Sequence, residues 1–81
     1  MMTNYKSEAK KLLSSALGIE INAIEDDASP INIKNWDSLN QVKLSILIEE
    51  YLGRKLSTDE ILGLISLDYI TDLLSKEDSS N

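Results

Sequence analysis

Apolar residues recur along this chain at helical spacing, and the alternation that marks a strand is nearly absent. Tyr5, Ala9, Leu12, Leu13 and Ala16 share one face of a helix predicted over residues 4–16. Lys6, Glu8, Lys10 and Lys11 fall mostly on the other face, and Gly18 stands just past its end as a stop signal. A second helix is predicted from Asp37 or Ser38 to near Leu52, closed by Gly53. At about 100° per residue it carries two apolar stripes, one of Leu44, Leu47, Ile48 and Tyr51 and the other of Leu39, Val42 and Ile46. A helix apolar on both flanks needs two neighbours. One stripe is expected to face the core, the other a bundle cleft or a partner.

Between these helices, residues 18–36 hold Gly18, Asn22, the acidic run Glu25-Asp26-Asp27 and Ser29-Pro30. Ile19, Ile21, Ile24, Ile31 and Ile33 argue for an ordered connection whose side chains are pinned into the bundle. Further on, Ser57-Thr58-Asp59-Glu60 reads as a capping box opening a short helix through Leu64, weakened by Gly63. Ser66 then caps a last helix with Leu67, Ile70, Leu73 and Leu74 at helical spacing, and a polar tail over 76–81 is expected to fray. Tyr5, Tyr51 and Tyr69 are expected at helix interfaces. The expected fold is all-α: a four-helix bundle, in one domain over residues 1–81, with a long first connection and a short third helix.

Composition narrows what such a bundle can do. The 81 residues include no cysteine and no histidine, which removes disulfides, thiolate metal sites and the commonest general base. Eight basic against 14 acidic side chains give a net charge of −6 and a pI near 4.4. That balance is opposite to what phosphate-backbone binding requires, so no nucleic-acid partner is expected. No stretch is apolar enough to span a bilayer, and a soluble, cytoplasmic, monomeric protein is the expectation. No catalytic residue set, metal site or phosphate loop is visible, so no enzymatic activity is expected.

One triplet invites chemistry. Asp37-Ser38-Leu39 opens the longest helix. A capping Asp37 leaves Ser38 in the first turn, where unpaired N–H groups and the helix dipole favour a phosphate. Asp37 could help hold a divalent metal and phosphate while an enzyme loads that serine. Leu39, Val42 and Ile46 would offer an apolar track beside it. The simpler alternative is that Asp37 and Ser38 only cap the helix. Glu49 and Glu50 could dock a basic partner or merely form a polar face. Trp36 could dock a partner or close the core, with packing the simpler role. Glu25-Asp26-Asp27 lacks the alternating ligands and glycine of a calcium loop and reads as a solvated turn.

The segment from Trp36 through Asp37-Ser38-Leu39 to Leu44 resembles the prosthetic-group site of acyl carrier proteins, and the likeness extends over nearly the whole chain, including Glu49-Glu50 and the Leu67 to Leu74 helix. The resemblance implies that Ser38 carries 4′-phosphopantetheine, transferred from coenzyme A by a magnesium-using phosphopantetheinyl transferase. The arm's thiol would hold an acyl group as a thioester for acyl-loading and acyl-accepting enzymes. The chain departs from the pattern in two respects. Fatty-acid carriers are densely acidic where Asn40, Gln41, Lys43 and Ser45 stand here, and Trp36 replaces a small residue. These departures point to a specialised biosynthetic pathway, of a secondary metabolite, modified lipid or surface glycan, rather than housekeeping fatty-acid synthesis. The alternatives are an aminoacyl or peptidyl carrier, and an unmodified helical interaction module.

Overall fold

The computed structural model describes residues 4–79, with side chains described as far as Lys76. Its elements are α1 (Tyr5–Leu17), a 3₁₀ turn (Ile21–Ala23), α2 (Ser38–Leu52), α3 (Thr58–Leu62) and α4 (Leu67–Ser79). Among the described residues there is no strand, and the expected all-α bundle is what forms.

The helix ends follow from the residues placed there. Asn4 Oδ1 accepts the Ser7 N–H at 3.0 Å and starts α1. Gly18 (φ 68°) and Gly53 (φ 74°) end α1 and α2 in the left-handed region, where a Cβ would be strained. The Ser57–Glu60 capping box forms in both directions, with Glu60 N to Ser57 Oγ at 3.1 Å and Ser57 N to Glu60 Oε1 at 2.8 Å. Ser66 Oγ accepts the Tyr69 N–H and opens α4. That helix continues through Ser79, so residues 76–79 of the expected frayed tail are helical; Ser80 and Asn81 lie outside the described residues.

The core lies around α1, which packs on both α2 and α4. Leu13, Leu44, Ile48, Leu64, Leu67, Ile70 and Leu74 are its fully buried large side chains, each contributing about 1.5–3 kcal/mol through removal from water. Tyr5 and Tyr69 pack against this core, whereas Tyr51, also expected at a helix interface, is 42% exposed.

The long connection is ordered, though its isoleucines divide. Ile24, Ala28 and Trp36 are buried, and Ile19 and Ile33 pack against the core. Ile31, expected to be pinned inward, is instead 96% exposed. The turn explains this: Ser29 Oγ accepts the Ile31 N–H, while Ser29 O accepts from Asn32 and Ile33. Ile31 thus stands at the crest of the turn. At its base, Ala28 O accepts the Leu67 N–H at 3.0 Å and ties the connection to the start of α4.

Candidate functional site at the start of the second helix

Asp37 caps α2, its Oδ1 accepting the Asn40 N–H at 2.9 Å. The simple capping role is therefore real for Asp37. Ser38 is a different case, for its hydroxyl is exposed and takes no part in that cap. The Gln41 N–H goes to Asp37 O, so it is the N–H groups of Ser38 and Leu39 that the cap leaves open at the helix entrance. Beyond the capping Asp37 carboxylate itself, no acidic side chain lies in the first turn of α2. A phosphate ester on Ser38 fits this environment.

Three amides that periodicity could not reveal hold the entrance in place. Asn35 Nδ2 donates to the Leu17 carbonyl at 3.2 Å, and Asn40 Nδ2 donates to the Asn35 carbonyl at 2.8 Å. Together they link the C-terminal end of α1, the connection and the first turn of α2. Gln41 Nε2 donates to the Ile61 carbonyl at 3.0 Å, joining α2 to α3 one turn beyond Ser38. The available signal was a cluster of amide side chains flanking the triplet.

The two stripes of α2 separate as their spacing predicts except at Tyr51, expected on the buried stripe and 42% exposed. Leu44 and Ile48 are buried, joined by Ser45, whose hydroxyl is satisfied by Val42 O at 2.7 Å. Leu39, Val42 and Ile46 are 67%, 55% and 49% exposed and form an apolar surface running from the serine. Lys43 is exposed beside them.

The remaining candidates fall elsewhere. Trp36 is 4% exposed, buried in the core rather than presented on the surface beside Ser38, which agrees with packing and disagrees with a surface docking contact. Glu49 is largely occupied within the fold: its Oε2 accepts the Leu56 N–H at 2.9 Å and Oε1 lies 3.9 Å from Lys55 Nζ. Glu50 is exposed. In the acidic run, Asp26 pairs with Lys10 at 3.0 Å and Lys6 at 3.5 Å, which accounts for it without a metal. The hydrogen bond from Lys10, then the charges of both lysines, hold its carboxyl below the usual range. Among the described residues no group of three or more acidic side chains could hold a metal ion. No described helix is long and apolar enough to cross a membrane.

The likeness to acyl carrier proteins is borne out by a curated relative. The chain is 28% identical over 75 residues to the acyl carrier protein of Buchnera aphidicola subsp. Baizongia pistaciae (strain Bp), an alignment covering 93% of this chain and 96% of that protein. No family model matches the chain.

Proposed function

We propose that this chain is a carrier of the acyl-carrier type, with Ser38 holding a 4′-phosphopantetheine arm and the bundle presenting its cargo to partner enzymes. The observation that carries the reading is the exposed Ser38 beside the open N–H groups of Ser38 and Leu39, in a first turn whose one adjacent carboxylate is the capping Asp37. When bound, the group supplies a terminal thiol that holds an acyl chain as a thioester.

The chain's own residues do the positioning. Asp37 spends one carboxylate oxygen on the cap, and this exposed residue would help hold the divalent ion that the loading reaction uses. Asn35 and Asn40 keep the serine turn rigid while an enzyme docks. Leu39, Val42 and Ile46 give the transferase and later enzymes an apolar surface next to the attachment point. The carrier performs no bond-making of its own; tethering raises the effective concentration of the cargo at each enzyme.

The sparse acidity of α2 after Ser38 supports a specialised pathway over the housekeeping one. Lys43 lies exposed among the apolar residues, and Glu49 is engaged by Leu56 and Lys55. A basic enzyme surface has little to grip there. We place the protein in the cytoplasm as a monomer. Incubation with coenzyme A, magnesium and a broad-specificity phosphopantetheinyl transferase tests the reading by intact mass. One phosphopantetheine should be gained by the wild type and none by Ser38→Ala. An unchanged wild-type mass would favour the interaction-module alternative.

A further inference from the structure

Trp36 is the chain's one tryptophan and lies in the core. Its Nε1 is buried and, uniquely among the buried side-chain polar atoms of the described residues, has no hydrogen-bond partner. An indole nitrogen can only donate, and a buried donor without an acceptor is unfavourable. Phenylalanine would bury a ring without that cost. The backbone N–H of Trp36 is not the orphan, for it donates to Ile33 O at 3.1 Å. A buried unpaired donor calls for a partner outside the fold as it stands.

Position suggests where the partner comes from. Trp36 precedes Ser38 by two residues, so their Cα atoms lie within about 7 Å. Whatever Ser38 carries starts two residues along the chain from Trp36, outside the packing that covers its ring. We infer that Trp36 Nε1 is a donor for a carbonyl oxygen brought in on Ser38, reached when the packing over the indole opens. This rests on the carrier reading. The carbonyl can belong to the amides of the arm or to an oxygenated cargo such as a 3-oxoacyl chain, and the two sources are separable.

The test is NMR of the ¹⁵N-labelled indole in four forms of the full chain: unmodified, loaded with the arm alone, loaded with hexanoyl-arm, and loaded with 3-oxohexanoyl-arm. Intact mass verifies each form first. A downfield indole proton with about tenfold slower hydrogen exchange, the factor for about 1.4 kcal/mol, is expected in at least one loaded form. A change already present with the arm alone assigns the acceptor to the arm; a change confined to the 3-oxo form assigns it to the cargo. Identical shifts and exchange in all four forms, as for a permanently trapped water, would overturn the inference while leaving the carrier reading intact. Failure of Ser38 to load would overturn both. In Trp36→Phe, which loses no hydrogen bond within the fold, loading should raise the unfolding temperature by less than in the wild type. An equal rise in both proteins would count against the inference.

Discussion

Gln41 donates through Nε2 to the carbonyl of Ile61 at 3.0 Å, and this bond joins α2 to α3 one turn beyond Ser38. Ile61 O also accepts the Leu64 N–H at 3.2 Å, so the end of α3 is held from two directions.

Gln41→Leu should therefore loosen α3 selectively. Global stability is expected to fall by about 1 kcal/mol, the net worth of one hydrogen bond. Amide exchange should speed up in Thr58–Leu64 while α1 and the centre of α4 keep their protection. Uniform acceleration across the bundle would show that the bond is not a local tie.

The cap that Asp37 forms and its proposed part in loading are separable. Asp37→Ala removes the cap on Asn40 N and should cost about 1 kcal/mol in urea unfolding. Asp37→Asn keeps a capping oxygen and should stay within about 0.5 kcal/mol of wild type. Loading of Ser38 by the transferase should nonetheless drop in Asp37→Asn, on the order of tenfold or more, because an amide is a poor ligand for a hard cation. Equal loading by Asp37→Asn and the wild type would confine Asp37 to capping.

Gly63 is a glycine for reasons of space. Its backbone is right-handed, with φ −81°, so conformation does not demand glycine. A Cβ there would lie 2.5 Å from Cζ of Tyr69, inside contact distance. Gly63→Ala should cost about 1–3 kcal/mol by forcing that ring aside. In a double-mutant cycle with Tyr69→Ala, most of this cost should vanish. Strictly additive effects would contradict the clash.

Glu60 gives the bundle an acid-sensitive tie. Arg54 Nη1 and Nη2 reach its two oxygens at 3.0 Å and 2.8 Å, and Ser57 N adds a third bond. The hydrogen bonds from Arg54, and next from Ser57, lower its pKa from 4.5 to about 2. A carboxyl depressed in the folded state adds stability above its unfolded pKa and loses it as pH falls through the folded one. The stability gap between wild type and Glu60→Gln should be constant above about pH 4.5 and shrink between there and about pH 2. A gap independent of pH would rule the tie out. Asp26, also depressed by its lysines, titrates in both proteins and cancels in the comparison.

Much of this molecule could be read before its structure. Gly18, Gly53, the Ser57–Glu60 box and Ser66 end or begin helices through local chemistry, so spacing alone located them. The separation of Leu44 and Ile48 from Leu39, Val42 and Ile46 followed from helix geometry in the same way. Ile31 escaped because an apolar side chain does not say which corner of a turn it occupies, and Ser29 decides that here. Asn35, Asn40 and Gln41 escaped because their acceptors are backbone carbonyls 5 to 20 positions away, a relation without periodicity. Glu49 looked like a surface charge and turned out to hold the chain just after α2 by accepting the Leu56 N–H.

Mass spectrometry of the protein isolated from its native host tests the central claim most directly. The peptide containing Ser38 should carry 4′-phosphopantetheine, and a fraction should carry an acyl thioester whose mass identifies the cargo. Ser38 found unmodified throughout, in cells that load other carriers, would contradict the account.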